Sequence, residues 1–163
     1  LDISKLYDGT LFLMIIFMFI GASPASTGGG IKTSTTAVLL LAIWALIRGR
    51  SDAECFGRRI PKEFIYKAFS VMFISFILVV IVTMALTITE RVSFISVLFE
   101  VTSAFGTVGL STGITPTLST AGKVWLIITM FAGRVGSVTL ALAIAMRSRK
   151  AQLQYPDGKI IIG

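Results

Sequence analysis

The sequence predicts an all-α membrane protein: an interrupted helix, then a unit of spanning helix, re-entrant half-helix, irregular loop and spanning helix. Three observations predict it. Of the 163 residues, 55% are hydrophobic and only 14% charged, against about 45–50% and about 25% in soluble domains. Two apolar segments, Phe64–Thr87 and Lys123–Met146, approach or exceed the roughly 20 residues that cross a bilayer as a helix. The cationic residues gather in short stretches between the apolar runs, where they set topology.

The same composition excludes several classes of function. With no histidine and the single Cys55, a His- or Cys-rich metal site is out of reach within the chain, as is an internal disulfide. Few side chains are suited to general acid–base chemistry, and no nucleophile–base pair is visible, so the chain does not read as an enzyme. The net charge of +7 would suit nucleic acid, but its placement beside apolar runs points to membrane orientation instead. Cys55 reads as an ordinary reduced thiol.

Taken in order, residues 1–50 form the first unit. Its apolar run, about Leu11–Ile47, is interrupted at 21–36 by Gly, Ala, Ser and Thr with one Pro and one Lys. Three successive glycines cost a helix interior about 1 kcal/mol each relative to alanine, and Pro24 about 3, so an unwound segment is expected there. Residues 51–63 form a loop that, with its flanks, holds Arg48, Arg50, Arg58, Arg59, Lys62 and Lys67. A spanning outer helix is expected over 64–88. The run 92–105 is too short to span and reads as a re-entrant half-helix, followed by an irregular segment at 106–111 and a second spanning helix at 121–147. Residues 148–163 form a polar tail carrying Lys150 and Lys159, just after Arg147 and beside Arg149. Ten of the fifteen cationic residues thus lie in one loop and one tail, and the positive-inside rule assigns both to the cytoplasm. Trp44 and Trp125 suit interfacial or packing positions.

Leu13–Gly21 and Trp125–Gly133 match at Ile15/Ile127, Ile16/Ile128, Met18/Met130, Phe19/Phe131 and Gly21/Gly133 at one offset. This suggests the same inner helix of a repeating unit, an arrangement common in transporters. The first copy lacks the parts that precede it in the second. Together with a start at Leu1 on the outer side, this predicts a chain that begins partway through a larger protein.

Phe105-Gly106-Thr107-Val108-Gly109-Leu110-Ser111-Thr112-Gly113 follows the half-helix. A Gly/Thr turn at the membrane surface is one reading. The other is a cation filter: irregular backbone at membrane depth must be shielded or line a wet path, Gly106 and Gly109 open backbone angles closed to other residues, and successive carbonyls can replace a cation's hydration shell. The half-helix before it and the full helix after it favour the filter, with the carbonyls of Thr107, Val108, Gly109 and Leu110 as ion ligands. Glu100, in the half-helix, is placed as filter support rather than as a cation attractor.

The Thr107–Gly113 run resembles the fourth filter loop of the Trk/Ktr/HKT superfamily of potassium transporters. Gly21-Ala22-Ser23-Pro24-Ala25-Ser26-Thr27-Gly28-Gly29-Gly30-Ile31-Lys32-Thr33 resembles its intramembrane loop, and Met130-Phe131-Ala132-Gly133-Arg134-Val135-Gly136 its fourth inner helix. The nearest likeness is to the bacterial Ktr-type membrane subunit. The resemblance implies a potassium-channel-like fold of four helix, pore half-helix, filter and helix repeats. This chain would hold the inner helix of the third and all of the fourth. It implies passive K+ uptake as the function, with Na+ as an activating or coupled ion in a symport-like mode, and no organic cofactor. It also implies a homodimer in the bacterial inner membrane, the C-terminus cytoplasmic, seated on a nucleotide-binding RCK-type ring. The loop at 48–67 and the tail are the contact candidates, and nucleic acid is not a partner. A non-conducting assembly or scaffold subunit is the alternative.

Within that resemblance Ser26, Thr27, Gly28, Gly29, Gly30, Ile31, Lys32 and Thr33 form a gate loop beneath the filter. From the residues alone, a passive hinge or a phosphate cradle also fits the stretch, although the full P-loop spacing is missing. Arg134 lies mid-span, where a charge needs a partner. The loop's free carbonyls are natural acceptors for its guanidinium donors. This gives Arg134 the role of gate latch or of a fastener between two helices.

Overall fold

The computed structural model describes residues 3–50 and 52–146. Five helices carry the fold: α1 (Asp8–Ile20), α2 (Thr33–Ile47), α3 (Lys62–Thr89), α4 (Phe94–Gly106) and α5 (Thr120–Met146). The tail at 148–163, with Arg149, Lys150 and Lys159, lies outside the described residues, as do Leu1 and Arg147.

The 28-residue α3 is long and apolar enough to cross a membrane, whereas α1, α2 and α4 are shorter apolar helices. Much of α3 is outward-facing: Phe69, Phe73, Phe76, Ile81, Met84 and Ile88 are exposed, as lipid-facing side chains would be. Its start at Lys62 and end at Thr89 extend the expected 64–88. Pro61, whose φ is pre-set and which lacks an N–H, occupies the N-cap and permits the earlier start. The half-helix begins two residues later than expected, because Ser93 is extended at its N-cap, and it continues through Gly106.

The interruption between α1 and α2 is shorter than the expected 21–36. Helix resumes at Thr33, and the N–H groups of Thr35 and Thr36 both bond to Lys32 O. The residues that resist helix are Gly21 (φ 67°), Ala25 (φ 67°) and Gly30 (φ 78°); only glycine takes this left-handed region without steric cost. Within the loop expected at 51–63 lies a small antiparallel hairpin of β1 (Glu54–Cys55) and β2 (Arg58–Arg59). Phe56 and Gly57 both have positive φ at its turn, the geometry that matches strand twist in a two-residue connection. Ion pairs Arg59–Asp52 (2.9 Å) and Arg50–Glu54 (3.6 Å) brace it.

The centre of the fold is α4. It packs between α1 and α5, and α3 covers a further side. Everything from Phe99 to Gly106 is buried. One core joins Val97, Val101, Ala104 and Phe105 to Val79, Val82 and Leu86 of α3, Leu126 of α5 and Ile31 of the interrupted stretch. A second joins Phe99 to Leu11, Ile15 and Met18 of α1. Two buried hydroxyls are satisfied within their own helices, Thr102 on Leu98 O (2.7 Å) and Thr129 on Trp125 O (2.8 Å), as an apolar surrounding favours. At the start of α5, Ser119 Oγ accepts from Gly122 N (3.1 Å), and Glu90 in turn accepts from Ser119 N and Oγ. A carboxyl group and a side-chain cap therefore meet at the positive end of the helix.

The backbones come closest at glycines. A Cβ on Gly133 would overlap Phe105 O, and one on Gly106 would stand 2.8 Å from Met18 O. The overpacking this implies costs typically about 1–3 kcal/mol. We expect Gly133→Ala in the complete protein to lower the thermal unfolding midpoint clearly. Gly9→Ala, at a site with nothing within 4 Å, should not lower it. Equal midpoints for Gly133→Ala and the unsubstituted protein would refute the close approach of α5 to α4.

Candidate functional site: a backbone path beside a glycine loop

The site is built on the C-terminal end of α4. Thr107 takes a left-handed conformation (φ 50°) immediately after the helix, turning the chain back over its last turn. Thr107 N then bonds to Ala104 O (3.1 Å) and Val108 N to Ser103 O (3.0 Å), so the freed helix carbonyls are satisfied in the manner of a C-cap. From Val108 to Ser111 the chain is non-helical and exposed, with Gly109 at φ 83°. Among the described residues, the carbonyl oxygens of Thr107, Val108 and Gly109 accept no hydrogen bond.

Leu110 departs from the expected ligand set. Its carbonyl accepts from Ser103 Oγ at 2.6 Å and is held against α4, so the run of unengaged carbonyls ends at Gly109. The backward turn at Thr107 brings Leu110 over the serine one helical turn before the end of α4.

Glu100 is 5% exposed. Its carboxyl group accepts from Ser111 Oγ (2.5 Å), Thr112 N (2.9 Å) and Thr112 Oγ1 (3.3 Å) on one oxygen and from Thr115 Oγ1 (3.1 Å) on the other. It ties the limb that leaves the carbonyl run to the middle of α4. Such bonds to a charged group are stronger than neutral ones, and leaving a buried donor unmatched costs about 1–3 kcal/mol. Ser103, Ser111, Thr112 and Thr115 were not singled out in the sequence. The one available signal was a lone carboxyl in an apolar helix followed by a hydroxyl-rich stretch.

The residues 21–32 form a tight loop against the same helix end. Ser23–Thr27 are exposed, whereas Gly29, Gly30 and Ile31 are buried. Ile31 N bonds to Phe19 O (3.3 Å) and Thr33 N to Ala22 O (3.2 Å), closing the base. Lys32 Nζ folds back onto Gly28 O (2.6 Å) and Ser26 O (3.3 Å). Gly29 N donates to Thr107 Oγ1 at 2.8 Å. A Cβ at Gly29 would lie 2.9 Å from both Phe105 O and Thr107 Cγ2, so only glycine fits between loop and helix.

Arg134 is not brought to this loop. It is exposed, and among the described residues it makes no hydrogen bond to the loop. It lines a groove of about 540 Å³ between α4, α5 and the carbonyl run, together with Glu100, Thr107, Gly109 and Met130. Two of the loop carbonyls, Gly28 O and Ser26 O, are engaged by Lys32 instead, which the tight turn places within local reach. The hydroxyls of Thr27 and Thr33 make no hydrogen bond among the described residues. No group of three or more His, Cys, Asp or Glu that would suit a metal ion occurs among the described residues.

The Glu100 network generates a stability order. Glu100→Ala leaves Thr112 with two unmatched donors, whereas Glu100→Gln keeps one acceptor and the volume. Thermal unfolding midpoints of the complete protein should fall in the order native, Glu100→Gln, Glu100→Ala. Three indistinguishable midpoints would contradict the anchoring role.

The profile of one protein family, described as TrkH, cation transport protein, matches residues 1–154. The chain is 45% identical over its full length to Ktr system potassium uptake protein D of Bacillus subtilis (strain 168), covering 36% of that protein. It is 42% identical to Ktr system potassium uptake protein B of the same organism, over all of this chain and 36% of the relative. Against potassium/sodium uptake protein NtpJ of Enterococcus hirae it is 36% identical, over all of this chain and 38% of the relative. The chain thus spans little more than a third of the length of these curated relatives. With the family profile matched over nearly the whole chain, it belongs to the TrkH family, described as cation transport proteins.

Proposed function

We propose that the chain is part of the pore-forming membrane subunit of a bacterial potassium uptake transporter. The observation that carries this is the run Thr107–Gly109: non-helical backbone, half-buried at Thr107 and exposed from Val108, with unengaged carbonyls, held at the end of a buried half-helix. Carbonyl oxygens so placed substitute for a cation's hydration shell. The negative end of the α4 dipole favours positive charge at the same place. Thr107, Val108 and Gly109 supply the ion ligands. Leu110 contributes its position, with its carbonyl kept on Ser103. α3, α4, the carbonyl run and α5 form one repeat of a pore, and α1, the loop and α2 form the broken inner helix of the preceding repeat.

In this reading residues 26–33 are the gate, closed by Lys32 on the loop's own carbonyls and by Gly29 on Thr107. Arg134 acts on the gate through the groove it shares with Thr107, without a direct bond to the loop. The loop and tail basic residues face the cytoplasm, where a dimer of the complete subunit would meet its nucleotide-binding ring. The relatives named for Ktr systems support K+ as cargo, and the relative named for potassium and sodium uptake supports a role for Na+.

Rubidium uptake by the complete transporter tests the filter. Gly109 sits at φ 83°, which serine adopts only with strain, so Gly109→Ser should cut uptake at least tenfold or abolish discrimination between Rb+ and Na+. Rate and selectivity both intact would overturn the assignment and favour a non-conducting assembly role. The gate has its own tests. Lys32→Gln, which removes the charge on Gly28 O and Ser26 O, should raise uptake by the resting transporter several-fold. Arg134→Ala should alter uptake or its gating, and unchanged behaviour would remove Arg134 from the gate.

A further inference from the structure

Among the described residues, the Thr107 side chain is the one place where the loop and the carbonyl run touch through a hydrogen bond. Its hydroxyl oxygen has two lone pairs. In this structure one of them receives Gly29 N at 2.8 Å. That amide proton brings positive partial charge to an oxygen beside the first unengaged carbonyl. One residue earlier, Lys32 Nζ fixes a full positive charge on Gly28 O at 2.6 Å. Gly29 cannot withdraw sideways, since it is packed against Phe105 O and Thr107 Cγ2. It leaves only if the loop moves.

We propose that the Thr107 hydroxyl is shared between the loop and the permeating cation, so that a closed loop and a cation at the inner end of the carbonyl run exclude each other. This inference rests on the filter reading above and adds a regulatory consequence to it. A monovalent cation bound beside Thr107 meets repulsion from the Gly29 amide proton on the same oxygen and from the nearby Lys32 ammonium. By linkage, whatever factor the closed loop takes from cation affinity, the cation takes from loop closure. External K+ therefore acts as an opener of the gate as well as its cargo. A single hydrogen bond exchanged in this way corresponds to roughly a two- to tenfold effect.

The test is amide hydrogen exchange of the segment 21–32 in the complete transporter reconstituted in vesicles, in KCl against choline chloride, with Rb+ uptake measured on the same preparation. In the native protein K+ should speed exchange of this segment about two- to tenfold. Thr107→Ser, which keeps the hydroxyl, should respond likewise. Thr107→Val, similar in shape but lacking the hydroxyl, should exchange fast in both salts. Rb+ uptake by the native protein with exchange that K+ leaves unchanged or slows overturns the shared hydroxyl while leaving the filter reading intact. A Thr107→Val protein that responds to K+ as the native one does overturns it too. Absence of any Rb+ uptake by the native protein overturns the filter reading and this inference with it. Should Thr107→Val not fold, the native and Thr107→Ser comparisons still decide.

Discussion

Backbone that is neither helix nor sheet has to be satisfied from within when lipid surrounds it, and in this chain that requirement is concentrated at one helix end. The last turn of α4 presents carbonyls that its own helix no longer uses. The chain after Thr107 returns to satisfy part of them, and the loop of 21–32 supplies a donor to Thr107 itself. α5 closes the other side at Gly133. Each of these partners is irregular or glycine-bearing because each must bring main chain, not side chain, to the same place.

The two polar side chains of α4 that point toward the path divide the work of holding it. Glu100 gathers Ser111, Thr112 and Thr115, and Ser103 takes Leu110 O. Between the capped end of α4 and these anchors the carbonyls of Thr107 to Gly109 have no internal partner among the described residues. An arrangement of this kind is rigid at its ends and open in its middle, which suits exchange of bound water or hydrated ions without collapse. On the loop side the positive charge of Lys32 is neutralised by backbone oxygens rather than by a carboxyl group.

The repeat between Leu13–Gly21 and Trp125–Gly133 gains a physical meaning from these contacts. Both segments pack on α4, and their matched glycines sit at close approaches. Their fates differ after that glycine. The first breaks, because Pro24 and three glycines follow; the second continues as α5, because Arg134 and Val135 do not oppose helix.

Composition and hydropathy determined the helical membrane class, since few arrangements other than apolar helices bury so much apolar sequence with so little charge. Local chemistry determined the break at Gly21 and the left-handed turn at Gly109, because glycine alone takes such angles without steric cost, whereas the left-handed Thr107 is held there by tertiary contacts. The side-chain partners were decided by tertiary structure alone. The basic residues near the loop were visible in sequence, but only the folded loop shows that Lys32 reaches its carbonyls and Arg134 does not. Leu110 looked equivalent to its neighbours until the backward turn at Thr107 put it over Ser103. Residues 7 positions apart across a helix end, as Ser103 and Leu110, or 78 positions apart, as Gly29 and Thr107, carry no local signal of contact. Their pairing is set by how α1, α4 and α5 pack, because a hydrogen bond is made only where packing delivers donor and acceptor within about 3 Å.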